Sequence, residues 1–326
     1  MMSEKRSEQD ESLRQLVGFA TRAPSIHNTQ PWTVGVADNA ITVFADPERQ
    51  MRAADPSGRQ MIISCGAFVH HLDVVLHNAG FDTAIHRFPN TDDTTHVATI
   101  ELKPARYIDE KYRSLAGAVT ERRSDRRPLG PLSDEAVETL TTAFHDDSVS
   151  AVAITGGGTD LFRQASELAI ENRLGDENYL RELNWWSGHY RLFEGVPRSA
   201  LVSSATQQTV PSNREFPVGT LDADRKVEDE ASLLVLSTSS DDQTHWLRSG
   251  EAMSAIMLDA TVSRLGCCPV THVTELDESR ALIRSAAAES SEMYRYPQAV
   301  IRVGERRDDS APPASGRRPV DEIIRR

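Results

Sequence analysis

The chain has 326 residues, 39% of them hydrophobic and 26% charged, and 49 acidic against 36 basic side chains leave a formal net charge of −13. That length corresponds to about two domains of ~150 residues and buries roughly three-quarters of the surface an unfolded chain exposes, so neither disulfides nor a structural metal is needed for stability. An acidic field repels phosphate backbones and argues against a nucleic-acid partner, while leaving room for a local basic pocket around one small phosphate.

Cys65, Cys267 and Cys268 make no disulfide framework, since two of the three are neighbours and no CxxC occurs. The start, MMSEKRSEQDESLRQ, lacks the apolar core of a signal peptide. The most apolar stretch, Met61 to Leu76, is interrupted by Ser64, His70, His71 and Asp73, too polar to span a bilayer. The expectation is a cytoplasmic protein with no membrane partner.

In chain order, Leu13, Leu16, Val17 and Ala20 stripe a helix over Glu11 to Arg22. Pro24 and Pro31 bracket the irregular segment APSIHNTQPW, and Trp32 to Val36 with Ile41 to Ala45 read as a hairpin turned at Asp38 and Asn39. The turn Asp55-Pro56-Ser57-Gly58 leads into a long apolar helix, about Arg59 to Asn78, stopped by Gly80. Thr94 to Leu102 alternates as a strand. A helix from Asp109 to about Glu121 precedes the basic loop Arg122 to Pro128, and Ser133 caps a further helix to Phe144. Val149 to Ile154 is a strand, and Thr159 or Asp160 opens a helix to about Arg173. The stretch from Asn184 to Asp222 has few periodic apolar positions and reads as a long excursion outside the core. Ala231 to Thr238 is a buried strand, Gly250 to Arg264 a helix ended by Gly266, and Tyr296 to Val303 a last strand before a Pro- and Arg-containing tail.

The two halves share an order: strand, loop, a long helix opening near a glycine and closing on another, then strand. Cys65-Gly66-Ala67 matches Ser249-Gly250-Glu251, Gly80 matches Gly266, and His96 to Leu102 matches Pro297 to Val303. This predicts an internal duplication with the two long helices packed at its centre. What each half lacks is complementary. The first offers PSIHNTQPW, with Ser25, Asn28 and Gln30 able to present amides and a hydroxyl to a planar heterocycle, or simply to satisfy a helix end. The second offers RRSDRRP, whose guanidiniums suit bidentate phosphate capture unless they form a solvated basic turn. Arg317-Arg318-Pro319 in the tail is a matching pair. There is material for one site, not two.

Other signals are weaker. Ile154-Thr155-Gly156-Gly157-Gly158 follows a strand but has no phosphate-loop spacing, so a turn is expected. His70, Asp73 and His77 share a helix face, either as metal ligands or as a polar stripe. His27 sits within the first loop, placed either to touch a ligand or as an exposed loop residue, and the cysteine pair reads as small core packing ahead of a redox role. No nucleophile elbow or HExxH is present.

APSIHNTQPW and ERRSDRRP together resemble the paired flavin-binding motifs of the nitroreductase superfamily. DPSGRQMIISCGA, HWLRSGEAMSAIMLDATVSRLGCCPV, and YPQAVIRVG with RRPVDEI are similar to its Acg-type branch, whose members fuse two such units in one chain. The likeness runs from about Leu13 to Ile323. It implies an α+β nitroreductase-like fold, a single-chain pseudo-dimer of residues 1–106 and 107–326, the second carrying a lid-like excursion at about 184–222. It implies one FMN, with Arg122, Arg123, Ser124 and Arg126 at its phosphate and ribityl chain, Pro24, Ser25, Asn28 and Gln30 facing it from the other unit, Pro269 and Val270 approaching the ring, and Arg317 or Arg318 on the phosphate. It implies hydride transfer from NAD(P)H through flavin N5 to a small nitroaromatic or quinone acceptor, with no catalytic side chain. Further pairing of the chain is left open. Thr271-His272 departs from the acidic-glycine pair usual after that proline. Trp185, Trp186, Tyr190 and Phe193 offer either a lid over the flavin or a surface aromatic cluster. A covered flavin opens the alternative of an FMN-sequestering protein with little or no turnover.

Overall fold

A computed structural model describes the chain except residues 1, 38, 189–191, 211–213, 215, 224–226, 288–292, 309 and 326, and the side chains of 2–9. Leu13, Val17 and Ala20 are completely buried on helix α1 (Met2–Ala20), which begins earlier than expected because nothing in the polar leader is a helix breaker. Strands β1 (Trp32–Ala37) and β2 (Ala40–Ala45) form the expected hairpin, Trp32 opposite Ala45; Asn39 lies in its turn and Asp38 lies outside the described residues. With β3 (Phe81–Arg87) and β4 (His96–Pro104) they make an antiparallel four-stranded sheet in the order β1-β2-β4-β3.

The second sheet repeats that order. β5 (Val149–Ala153), β6 (Ser232–Thr238), β7 (Gly266–Val270) and β8 (Tyr296–Gly304) are arranged β5-β6-β8-β7. The matched pairs of the sequence, β2 with β6 and β4 with β8, occupy equivalent places in the two sheets. Two strands escaped sequence reading, β3 and β7, and both are edge strands. β3 is nowhere fully buried. β7 reads GCCPV, and its glycine and proline lower strand propensity; proline is tolerated at an edge where no ladder partner needs its missing N–H.

The long helices are α2 (Arg59–Asn78), as expected, and α8 (Gln243–Val262), which starts before the expected Gly250 because Asp242 caps it, accepting from the His245 N–H at 3.1 Å. They cross at their matched glycines. A Cβ on Gly66 would stand 2.0 Å from the Leu247 carbonyl oxygen, and one on Gly250 1.9 Å from that of Ile63. The contact is reciprocal, each glycine meeting the carbonyl three residues before the other. This is the centre of the duplication, and the main core is built around it.

The remaining helices are α3 (Glu110–Glu121), α4 (Asp134–Thr141), α5 (Gly158–Leu174), α6 (Glu177–Trp186), α7 (Ser204–Gln207), α9 (Asp277–Ala286) and α10 (Val320–Ile323). α6, α7, α9 and α10 were not expected. α6 corrects the picture of the excursion, since its Tyr179, Leu183 and Trp186 have helical spacing and are buried with Ile26, Met51 and Ala54. Their polar neighbours in NYLRELNWW hide that stripe. Further on, Val196, Ala200 and Leu201 form a small core of their own with Phe216 against it. The tail then returns to the first sheet, where the Arg325 N–H donates to the Val34 carbonyl at 2.8 Å. Among the described residues no helix is long and apolar enough to cross a membrane.

Candidate functional site

The segment between α1 and β1 is held in an unusual backbone conformation. His27, Asn28 and Gln30 all have positive φ, at 44°, 56° and 50°. Non-glycine residues reach that region at a cost, and such strain persists only where surrounding contacts over-determine it. Here they do. The Ile26 N–H donates to Ser64 Oγ at 3.1 Å, and the Cys65 thiol to the Pro31 carbonyl at 3.3 Å, so α2 fixes the loop from below. Asn28 Nδ2 donates to the carbonyls of Gly195 and Gly316, and Gln30 Nε2 to that of Phe193, so the excursion and the tail fix it from above.

The basic loop leaves α3 at Arg122. The Asp125 N–H donates to the Cys267 carbonyl at 2.8 Å, joining the loop to β7, and Arg127 turns away into Asp125, Asp308 and Ser310. Arg122 is 4% exposed; its Nη2 reaches the Arg22 carbonyl at 2.9 Å, while Nε and Nη1 have no partner. Arg317 donates to the carbonyls of Thr21, Arg22 and Gly316, and Arg123 to those of Thr120 and Arg122. Among the described residues no carboxylate bonds to any of the three. Burial pushes Arg122 down to about 10, and Arg317 is driven well down by burial and then by Arg122, Arg22 and Arg123. Arg122 is buried and Arg123 and Arg317 are half-buried, each beside others of its own sign, an arrangement that an anion relieves.

Both segments open on one cavity, roughly 1090 Å³ counted out to its mouth. Gln60, Ile63 and Ser64 of α2 and Met253 of α8 form its floor, Cys268 to His272 one side, and Val196, Ala200, Arg214 and Phe216 its cover, with Pro313 and Ser315 from the tail. Every expected site residue lines it except Gln30 and Arg318. Those two bind each other instead, the Arg318 N–H to Gln30 Oε1 at 2.8 Å and its Nη1 to the Gln30 carbonyl at 3.2 Å. Of the two tail arginines, Arg317 is the one that faces the cavity.

Of the two readings offered for Trp185, Trp186, Tyr190 and Phe193, a lid or a surface cluster, the lid finds no support in the three described side chains, none of which lines the cavity. Trp186 is buried under Arg49, Trp185 and Phe193 are 54% and 49% exposed, and Tyr190 lies outside the described residues. Among the described residues of the excursion, Phe216 is the aromatic ring that reaches the cavity. His70, Asp73 and His77 form a polar stripe: His70 meets Ser254 at 2.8 Å, Asp73 accepts from Thr83, and His77 meets the Phe81 carbonyl at 3.0 Å and Asp73 at 4.0 Å. No group of three or more His, Cys, Asp or Glu among the described residues is placed to hold a metal ion. Cys267 is buried and its thiol is pushed up to about 12, as for a packing residue. Sequence reading missed Arg22, Gln60, Arg214 and Phe216. Gln60 and Ser64, polar on an apolar helix, were a usable signal; Phe216 had none.

No family model matches the chain. A Mycobacterium tuberculosis protein provisionally named NAD(P)H nitroreductase acg is 38% identical over 318 residues, which cover 96% of this chain and 95% of its own. Another from that organism, provisionally named NAD(P)H nitroreductase Rv3131, is 36% identical over 331 residues, 96% of this chain and 91% of its own. Among solved structures, one provisionally described as a nitroreductase from Anabaena variabilis aligns with a TM-score of 0.48 at 10% identity, over 88% of this chain and 82% of its own. A Bacteroides fragilis nitroreductase with bound FMN aligns with a TM-score of 0.39 at 13% identity, over 63% and 94%.

Proposed function

This chain belongs to the nitroreductase superfamily, and from that membership we propose that its cavity holds one FMN and that it is an NAD(P)H-dependent oxidoreductase of small nitroaromatic or quinone-like acceptors. The observation that carries the reading is Arg122, nearly fully buried on the cavity wall with Nε and Nη1 unsatisfied. A buried guanidinium with two nitrogens left unsatisfied is costly, and a phosphate supplies the missing acceptors in the right planar geometry. Arg122, Arg123, Ser124 and Arg317 would hold the phosphate end, with Arg126 beyond them. Pro24, Ser25 and Asn28 would face the flavin from the other side, and Pro269 and Val270 would border its ring. When bound, FMN supplies the two-electron chemistry, accepting a hydride from NAD(P)H and returning it to an electron-poor acceptor.

The protein's own part is positioning and exclusion of water. The strained 24–32 loop is pinned by α2, the excursion and the tail, so its polar groups are fixed before any ligand arrives. The site draws on both proposed units, 1–106 through that loop and α2, and 107–326 through the basic loop, β7 and the tail. The test is direct. Purified protein should take up FMN and turn yellow, and anaerobic NADPH or NADH should bleach it; protein that stays colourless with added FMN overturns the reading. One observation favours a second reading, an FMN-holding protein with little turnover: the cover is tied to the loop through Asn28, Gln30 and an Arg49–Glu194 ion pair. A flavin that binds but does not bleach selects it.

Arg122→Met separates binding from stability. It should weaken FMN binding by about 1.5–3 kcal/mol, the loss of a charged hydrogen bond, which is roughly ten- to 150-fold. The FMN-free variant should nevertheless melt at a higher temperature than the FMN-free parent, since an unpartnered buried charge is replaced by an apolar side chain of similar length. Fluorescence titration and thermal unfolding check the two halves, and unchanged FMN affinity removes the phosphate role.

A further inference from the structure

The arginine group around Arg122 leaves another part of the cavity unexplained. His27 is 7% exposed and lines the cavity, and neither of its ring nitrogens has a hydrogen-bond partner. Burying an imidazole with both nitrogens unsatisfied is expensive, and here it is done on a backbone at φ 44°. Among the described residues the ring's aromatic contact is with Phe216, whose centroid lies 5.3 Å away at 55°. Phe216 also carries the Arg126 guanidinium 5.1 Å from its centroid, and it lines the same cavity.

These residues are not those of the arginine group. Arg122 and Arg317 bond to the carbonyls of Thr21, Arg22 and Gly316, whereas Arg126 bonds to Ala200, on the covering segment, at 3.1 Å. The charges acting on His27 are both positive. Arg214, although ion-paired with Glu275, and Arg126 add to burial in holding a proton off the ring. A neutral imidazole keeps one N–H donor and one lone pair. A donor in a positive field beside an aromatic ring is complementary to a planar ligand that ends in a negatively charged oxygen.

We propose that His27, Phe216 and Arg126 form the recognition site for an aromatic carboxylate, with the His27 ring donating to a carboxylate oxygen and Phe216 packing on the aromatic ring. Its role as the acceptor pocket rests on the flavin reading; as a binding site it stands on the contacts above. The acceptor class is thereby narrowed to aromatic anions, of which nitrobenzoates are the simplest reducible members.

The experiment compares benzoate with benzyl alcohol, neither of them reducible by a flavin, by calorimetric titration of FMN-loaded protein, so that the arginine group is already filled. Benzoate should bind at least ten times more tightly. His27→Gly keeps the positive φ and removes the ring, and it should abolish that preference while FMN uptake, read separately by absorbance, is retained. His27→Asn tolerates the same backbone and keeps a donor, and it should restore part of the preference. Equal binding of the two ligands by the parent protein, or a preference that survives His27→Gly, overturns the proposal. If FMN is not taken up, the flavin reading fails by itself, and the same titration with saturating inorganic phosphate still decides whether His27 selects benzoate.

Discussion

Gly66→Ala and Gly250→Ala should each destabilise the protein by about 3 kcal/mol or more, although alanine is the better helix former. In an open helix the change gains up to ~1 kcal/mol. At these positions the new methyl would lie 2.0 or 1.9 Å from a backbone carbonyl oxygen of the facing helix. Real Cβ contacts stay beyond 3.0 Å, so α2 and α8 must separate by about an ångström or more. Backbone cannot rotate away as a side chain can, and the helices are the centre of the main core. The cost therefore belongs at or above the usual ~1–3 kcal/mol for overpacking. One separation relieves both clashes, so the double variant should cost less than the sum of the two. Gly117→Ala is the control, because it lies inside α3 with nothing within 4 Å of its Cβ position, and it should be neutral or stabilising. Urea unfolding of the four variants checks this, and a Gly66→Ala protein as stable as the parent would remove the crossing from its central place.

That crossing is legible in the amino-acid sequence, because two glycines stand at matched places in two long apolar segments. Repetition of order survives where residue identity does not, which is why β2, β4, β6, β8 and both long helices are readable. β3 and β7 are not. An edge strand has one neighbour and little buried surface, so its alternation is weak or absent, and Gly266 and Pro269 in β7 resemble loop residues. The site divides in the same way. Pro24, Ser25, Asn28 and the Arg122 loop are visible because unusual residue types cluster within a few positions. Arg214 and Phe216 reach the cavity from a segment with no periodicity, and only tertiary packing brings them there. Gln30 shows the converse, a motif residue whose side chain braces the tail and the excursion instead of lining the cavity.

Acid should unfold the FMN-free protein unusually early, with roughly 4.5 kcal/mol of stability lost between pH 7.5 and 5.5. His27, His71 and His272 are buried, burial holds each well below the ordinary histidine value, and burial likewise lowers His70 to about 4 against the opposing pull of Asp73. On the first three the neighbouring charges act the same way as burial: Arg214 and Arg126 on His27, Arg122 on His71, Arg214 on His272. Their folded proton affinity lies below the unfolded one, so the stability is complete above about pH 6.5 and is lost as the pH falls through that value. At pH 5.5 an unfolded imidazole is about nine-tenths protonated, which favours unfolding by ~1.4 kcal/mol for each of the four. Asp55 opposes them. Burial raises its carboxyl to about 6, so it takes up a proton in the folded state first and returns about 1 kcal/mol over the same interval. Replacing one imidazole isolates its share. His71→Gln keeps an amide near the Ala67 carbonyl and Ser254 hydroxyl that His71 Nδ1 meets at 3.1 and 2.7 Å, and removes the titration. Its stability should fall by about one-third less than the parent's across the same pH range, as measured by denaturant unfolding at each pH. An identical slope would mean that His71 takes up its proton in the folded chain as readily as in the unfolded one, and would overturn this account.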